Sequence, residues 1–136
     1  MTAADVTLVR NAIHNPAEPR HFMRVVPCAR LAVATLEGHE LARSRRALVV
    51  KEVGHDIYDP VIYFPRADVA MTSLRQGVRT THCPLKGNTA YFDAAIDGAT
   101  IAEVAWSYVD VIEVAAVLRD LIAFDRRRVG IATYDD

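Results

Sequence analysis

The sequence has only two cysteines and no long hydrophobic run, and both absences exclude classes of protein. Cys28 and Cys83 are too few for a four-cysteine zinc site. No apolar run approaches the ~20 residues that a membrane-spanning helix needs, and the N-terminus lacks the basic stretch and apolar core of a signal peptide. We therefore expect a cytoplasmic protein that has no membrane partner and whose two thiols are free.

The sequence also lacks an excess of either charge. Its formal net charge is −1, whereas a protein that binds nucleic acid normally gathers a basic excess on one face. We therefore expect no nucleic-acid partner. Two arginine clusters, Arg43 with Arg45 and Arg46, and residues 126–128, lie beside predicted turns. We interpret them as solvated strand ends, with a clamp for an anionic ligand as the alternative.

The length of 136 residues and the hydrophobic content of 51% are typical of one globular domain. At its start, Val6, Val9 and Ile13 have helical spacing, and prolines then stop any helix. We predict an N-terminal arm at residues 1–20, with a helix as one option, and a single domain at residues 21–136. The arm would pack on the domain or on a second subunit, so a homodimer is one alternative.

From residue 22 onward, short β-favouring runs alternate with turn residues, as in a mainly β protein. Asp97-Gly98 is a strong signal for a two-residue hairpin, because both central positions of that turn require positive φ. Glu37-Gly38 predicts a second hairpin turn. The predicted strands are residues 22–26, 31–36, 40–43, 47–53, 61–64, 88–96, 100–108 and 128–134.

Residues 111–122 fit two structures. Their apolar positions follow helical periodicity, which favours a helix across most of the segment. These positions are Val111, Val114, Ala115, Leu118 and Ile122. The end of the segment, residues 121–124, also suits a strand that pairs with residues 128–134. The sequence leaves the choice between helix and strand open.

Two motifs carry a resemblance to a known family. The first is the run Thr-Thr-His-Cys-Pro-Leu-Lys-Gly-Asn-Thr-Ala-Tyr-Phe at residues 80–92, and the second is Ala-Trp-Ser-Tyr at residues 105–108. Together with residues 47–52 and 61–69, they resemble the bacterial family known as domain of unknown function 427, in order over residues 22–134. The resemblance implies a small antiparallel β-tent-like fold, in which two sheets meet at a steep angle, with short helical segments.

The family that the chain resembles has no agreed biochemical function. It is sometimes labelled a nucleotidyltransferase, an activity that needs two carboxylates positioned to hold Mg²⁺. No Asp-x-Asp pair follows a Gly-Ser turn in this sequence, so the residues do not support that label. Phe92 stands where the family often has tryptophan, which bears on the shape of a neighbouring pocket.

The second motif predicts an aromatic face on one strand. Alternation along residues 100–108 puts Val104, Trp106 and Tyr108 on one face and Glu103 on the other. A face with two large rings is a candidate wall for a small-ligand pocket.

The first motif would complete the pocket. The hairpin places Tyr91 or Phe92 opposite Trp106, and the loop at residues 82–87 leads directly into the strand that carries Tyr91. That loop would deliver an imidazole, a thiol and an ammonium group to one edge of the aromatic wall. These groups belong to His82, Cys83 and Lys86.

Each polar residue of the loop has two interpretations. Lys86 either binds a ligand carboxylate or phosphate, or pairs structurally with Glu52 or Asp68. Cys83 is either a reactive thiolate, whose pKa the cations Lys86 and His82 would lower, or a small buried apolar side chain. His82 is either a general base or a hydrogen-bonded loop residue. The other histidines are interpreted as surface residues: His14, His21, His39 and His55. No metal site and no cofactor are predicted.

Three functions are compatible with these residues. We favour a small-molecule-binding module, in which Tyr91, Trp106 and Tyr108 form the wall and Lys86 anchors an anionic or aromatic molecule. The second is an enzyme that uses Cys83 as a nucleophile or redox thiol. The third is a protein-interaction or structural domain. Whether the protein is an enzyme stays open.

Overall fold

The computed structural model describes residues 8–135. Within that range the chain is mainly β, with two antiparallel sheets and short 3-10 turns, which confirms the predicted fold class. The strands are β1 (Ile13–Asn15), β2 (Glu18–Pro27), β3 (Leu31–Leu36), β4 (His39–Ser44), β5 (Leu48–Val53), β6 (Val61–Phe64), β7 (Leu74–Gln76), β8 (His82–Cys83), β9 (Gly87–Ile96), β10 (Ala99–Val111), β11 (Ile122–Phe124) and β12 (Gly130–Tyr134). The 3-10 turns are Arg66–Asp68, Met71–Ser73 and Glu113–Leu118. No helix in residues 8–135 has the length and apolar character to cross a membrane.

The larger sheet holds nine strands of the described chain and the smaller sheet holds three. The strand order of the larger sheet is β1-β2-β5-β6-β11-β10-β9-β7, with β8 paired to β9. The strand order of the smaller sheet is β12-β3-β4. Strand β10, which contains the second motif, has β9 on one edge and β11 on the other. Strand β10 is therefore an interior strand of the larger sheet, and its side chains project alternately from the two faces of that sheet.

Two apolar cores lie on opposite faces of the larger sheet. Phe64 belongs to one core and its neighbour Tyr63 to the other, because consecutive residues of a strand point to opposite faces. The first core also takes in buried residues of β3 and β4, so it joins the two sheets. The second core lies on the other face and includes Leu85 of the first motif and Leu118 of the last 3-10 turn.

The hairpin turns have the backbone conformation that the sequence predicts. Asp97 and Gly98 have φ of 50° and 79° between β9 and β10. Glu37 and Gly38 have φ of 50° and 80° between β3 and β4. Two successive positive φ values give a turn whose twist matches that of the flanking strands, so the local sequence determines both hairpins.

Residues 111–122 form neither a continuous helix nor the alternative strand pair. Strand β10 runs to Val111, and β11 begins only at Ile122. The 3-10 turn between them is interrupted at Ala115, whose φ of −104° and ψ of 18° are not helical. Strand β11 pairs with β6 and β10, whereas β12 pairs with β3. Of the apolar residues with helical spacing, Val111, Ala115 and Leu118 pack on the second core, whereas Val114 is exposed and Ile122 lies in the first core.

The N-terminal segment also differs from the helical option. Ile13–Asn15 is strand β1, which pairs with β2 through Phe22 and Met23, so the spacing that ends at Ile13 does not produce a helix there. Val6 lies outside the described residues. Strand β2 begins at Glu18 and thus spans the boundary that the sequence suggested at residue 20. A neighbouring strand edge supplies hydrogen bonds that outweigh weak local helix spacing.

Acidification is expected to remove a contribution of Asp68 to stability. The carboxylate of Asp68 accepts hydrogen bonds from Ser44 Oγ at 2.6 Å and Arg46 Nη2 at 3.1 Å. The Ser44 bond and the Arg46 charge lower the pKa of Asp68 below its ordinary value of 3.8. The stabilisation is therefore complete above that value and is lost as pH falls through the lowered pKa. Urea unfolding from pH 7 to pH 3 should show a smaller acid loss for Asp68→Asn than for the parent.

The control for this measurement is Asp135→Asn, whose side chain is 77% exposed. That variant should follow the parent at every pH. Equal acid dependence in the parent and in Asp68→Asn would contradict the assignment to Asp68.

Candidate functional site

The structure brings the aromatic residues of the two motifs together around one cavity. The cavity has a volume of about 570 Å³, within the range of roughly 300–1,000 Å³ that is usual for small-ligand sites. Its wall includes the four residues to which the sequence assigned ligand binding: Lys86, Tyr91, Trp106 and Tyr108. Tyr58 and Tyr63 add two further rings. Their common position is a geometric fact, whereas their role in binding stays a prediction.

The register of the β9–β10 hairpin explains this arrangement. Trp106 is paired with Tyr91, and Phe92 is paired with Ala105 and buried in the core between the sheets. Of the two alternatives, Tyr91 is therefore the residue beside the indole. The substitution of the family's tryptophan by Phe92 falls on the opposite face and does not shape this cavity.

A β-bulge corrects the predicted alternation along β10. The register shifts between Ile101 and Ala105, and Glu103 within this stretch has φ of 50°. Glu103 consequently lines the cavity with Trp106, while Val104 packs in the core that contains Ala105. Between Ile101 and Ala105 strand β10 advances four residues while β9 advances two, so strict alternation fails within this stretch of β10.

The rings of the cavity hold one another by specific contacts. The Tyr63 and Trp106 rings meet edge to face, with centroids 6.5 Å apart and an interplanar angle of 89°. Trp106 Nε1 donates a hydrogen bond to Tyr63 Oη at 3.4 Å. The Tyr91 hydroxyl is 2.9 Å from Thr81 Oγ1. Three of the rings are thus fixed in orientation before any ligand enters.

Two phenols of the cavity keep their protons at neutral pH. Burial raises the pKa of Tyr63 and of Tyr108 well above the ordinary tyrosine value of 10.0. Tyr63 Oη already accepts a hydrogen bond from the indole, so its own proton is available as a donor. Within residues 8–135 the Tyr108 hydroxyl has no hydrogen-bond partner. The cavity therefore offers two neutral O–H donors.

Lys86 is buried and paired rather than free. Its residue is 6% exposed, and its ammonium group donates to Glu52 Oε1 and lies 5.6 Å from the centroid of the Tyr108 ring. Lys86 therefore pairs with Glu52, whereas Asp68 binds Ser44 and Arg46 instead, and a role of Lys86 in ligand binding stays a prediction. A ligand at Lys86 would meet an ammonium group whose charge is already balanced by a carboxylate.

The other charges at the cavity are also largely balanced. Arg79 pairs with Glu103 at 2.5 Å, and its guanidinium lies 4.6 Å from the centroid of the Tyr91 ring. Arg127 pairs with Asp125 at 3.0 Å. Arg128 lines the same wall. The cluster at residues 126–128 is therefore partly a solvated turn and partly a rim of the cavity.

The remaining loop residues do not reach this cavity. Cys83 and His82 form strand β8, and the chain reverses before Lys86, whose N–H donates to Cys83 O at 3.1 Å. This reversal places the thiol and the imidazole beside a neighbouring cavity of about 800 Å³. His82 is exposed and its Nδ1 is 2.8 Å from Asn88 Oδ1. Of the three groups, only the ammonium of Lys86 therefore lines the aromatic cavity, although Cys83 packs on the same second core as Tyr108 and Trp106.

A second polar cluster lies between the two cavities. His21, interpreted from the sequence as a surface residue, is partly buried, and its Nε2 is 2.7 Å from Glu52 Oε2. Ligand atoms of His21, Glu52 and Cys83 lie within 4.8 Å of one another. Glu52 lines both cavities and binds Lys86 with its other oxygen. His14 is not a free surface residue either, because its Nδ1 is 2.6 Å from Pro19 O.

The sequence interpretation did not assign several lining residues to the cavity, among them Tyr58, Tyr63, Arg79 and Glu103. A usable signal existed for one of them. Tyr63 and Phe64 are adjacent in a predicted strand, so one ring had to face away from the first core. The other three named residues lie in loops or at the bulge, where alternation carries no information.

Comparison with known proteins agrees with the motifs. The family model described as a domain of unknown function (DUF427) matches residues 24–135. No curated protein matches the chain. The matched range contains the whole aromatic cavity, whereas His21 lies outside it.

Proposed function

The chain belongs to the DUF427 family, whose description names no activity, and on that premise we propose that it is a small-molecule-binding module whose site is the aromatic cavity. The observation that carries the proposal is the shared position of Lys86, Tyr91, Trp106 and Tyr108. These residues come from the two motifs, are separated by up to 22 positions in the sequence, and line one hollow of about 570 Å³.

The chemistry of the wall defines the class of ligand. Several tyrosines and Trp106 favour a flat ring, because aromatic surfaces stack with each other at little entropic cost. The Tyr63 and Tyr108 hydroxyls remain protonated and favour an oxygen acceptor on that ring. The ammonium of Lys86 would strengthen the binding of an acceptor that carries negative charge. The ligand that fits these donors best is a small aromatic carboxylate.

The single tryptophan makes this proposal directly measurable. Trp106 is the one tryptophan of the sequence and lines the cavity, so its fluorescence reports on occupancy. We expect saturable fluorescence changes with members of a panel of indole and benzene carboxylates, and weaker changes with their primary amides. A ligand at 100 times its dissociation constant should stabilise the protein by ~2.7 kcal/mol in thermal unfolding.

Matched variants separate the cavity from the rest of the surface. Trp106→Ala and Lys86→Ala should abolish or weaken the thermal stabilisation by each ligand. Tyr134→Ala and Lys51→Ala remove an aromatic ring and a lysine outside the cavity wall and should retain the stabilisation. Ligands that stabilise Trp106→Ala as strongly as the parent would show that the binding site lies elsewhere. Failure of the whole panel to change fluorescence would contradict the proposed ligand class.

A further inference from the structure

We propose that His21, Glu52 and Cys83 form a binding site for a divalent transition-metal ion of the zinc type. The three residues come from β2, β5 and β8, yet their ligand atoms lie within 4.8 Å of one another. The site goes beyond the proposed function, because it faces the cavity of about 800 Å³ rather than the aromatic one.

The donor set has the chemistry of such an ion. A thiolate, an imidazole and a carboxylate are the three ligand types that bind Zn²⁺ in proteins, at roughly 2.0–2.3 Å. Around a tetrahedral ion with these bond lengths, ligand atoms are about 3.3–3.8 Å apart. Side-chain movements of about 1 Å would therefore suffice to close the observed cluster around an ion.

The surroundings permit an ion to enter. The side chains of His21 and Glu52 are 17% and 14% exposed, and Cys83 is partly exposed. All three line the same open cavity. Three protein ligands with solvent on one side leave the fourth position to water, which is the arrangement of zinc sites that bind further ligands.

The hydrogen bonds around His21 show which ring nitrogen carries the proton, and a metal ion at Nε2 would change that position. Asn15 Oδ1 accepts from Ala17 N–H at 2.9 Å, so Asn15 Nδ2 is the atom that faces His21 Nδ1 at 3.2 Å. Nδ1 therefore accepts, and Nε2 carries the proton that is donated to Glu52. A metal ion would take the place of that proton between Nε2 and the carboxylate. The proton would then reside on Nδ1, where it needs an acceptor.

Cobalt(II) titration of the full chain tests the site. Binding to a thiolate should give a saturable near-ultraviolet charge-transfer band at one ion per chain, and Zn²⁺ should remove it. Cys83→Ser should lose the band, and His21→Gln should weaken binding by more than about tenfold. The matched controls, Cys28→Ser and His39→Gln, change residues outside the cluster and should bind like the parent.

Asn15→Asp supplies a test that a merely structural cluster would not pass. A carboxylate at this position can accept from both Ala17 N–H and His21 Nδ1–H, as carboxylates do behind zinc-bound histidines. We expect Co²⁺ affinity to rise by about tenfold. The gain should vanish when Asn15→Asp is combined with His21→Gln, which separates it from a general effect of added negative charge.

A measurement on the parent protein keeps the proposal falsifiable if a variant does not fold. Zn²⁺ should slow alkylation of Cys83 and leave that of Cys28 unchanged, as read by peptide mass spectrometry. Equal alkylation of Cys83 with and without Zn²⁺ would overturn the proposal. A charge-transfer band that persists in folded Cys83→Ser would overturn it as well.

Discussion

Replacement of Gly87 by alanine is expected to lower the free energy of unfolding by roughly 3–5 kcal/mol, or to prevent folding. Gly87 has φ of 127°, a conformation that residues with a side chain rarely adopt. A Cβ at this position would also lie 2.2 Å from the carbonyl oxygen of Asp110, an atom of the backbone. Backbone strain of about 1–3 kcal/mol and a clash of similar cost would add.

Gly98→Ala is the matched control for this prediction. Gly98 also has positive φ, 79°, but a Cβ there would meet no atom within 4 Å. Its alanine variant should therefore lose only the conformational cost, about 1–2 kcal/mol. Urea unfolding of the parent and both variants provides the comparison. Equal losses in the two variants would mean that the close approach to Asp110 is not what requires glycine in the motif.

Removal of one partner of the Lys86–Glu52 pair is the second large effect that we expect. The side chains of Lys86 and Glu52 are 7% and 14% exposed, so either charge left alone would be poorly solvated. Lys86→Met should lower the free energy of unfolding by about 3–5 kcal/mol, the usual cost of an uncompensated buried charge. The variant Lys86→Met/Glu52→Gln should be more stable than the sum of the two single losses predicts.

An exposed pair provides the reference for this double-mutant cycle. Arg79 and Glu103 form an ion pair whose side chains are 55% and 41% exposed. Solvent and salt screen such a pair, and its coupling energy should be under about 1 kcal/mol. Urea unfolding of all four variants in each cycle gives the two coupling energies. A Lys86–Glu52 coupling as small as that of Arg79–Glu103 would contradict the buried-charge argument.

Glu52 has a special position because it faces both proposed sites. One carboxylate oxygen binds Lys86 at the aromatic cavity, and the other binds His21 at the neighbouring cluster. Its two bonds satisfy the carboxylate without any ligand. A ligand anion at Lys86 would compete with Glu52 for the ammonium group, whereas a metal ion beside His21 would bind the Glu52 carboxylate itself, so occupation of one site should alter binding at the other.

Much of the β framework could be predicted from local sequence. The residues 31–36 and 61–64 were predicted as strands with the observed bounds. Asp97-Gly98 and Glu37-Gly38 predicted their turns because few other residue pairs tolerate two successive positive φ values. The short strands β1, β7 and β8 were not predicted, and β11 was offered only as one of two alternatives, with β12 as its partner in place of β6 and β10. They contain two or three residues each, too few for a period of two to be recognised.

The candidate site could be predicted only where strand pairing is local. The sequence placed Tyr91 or Phe92 near Trp106, but strict counting from the Asp97-Gly98 turn would pair Trp106 with Thr89. Tyr91 is the observed partner because the register shifts between Ile101 and Ala105. The position of Glu103 did not follow, because a bulge shifts the register within β10. Likewise, the sequence offered Glu52 or Asp68 as partners of Lys86, and only the packing of β5 beside the motif distinguished them.

The amino-acid sequence by itself determined the elements whose causes are local: the mainly β character and the positive-φ hairpin turns. The tertiary structure decided which distant groups meet. It placed His21, Glu52 and Cys83 from three strands in one cluster, beside a cavity that neighbours the aromatic one. The physical reason is that contacts between strands far apart in the chain depend on sheet order, which no local pattern of residues encodes.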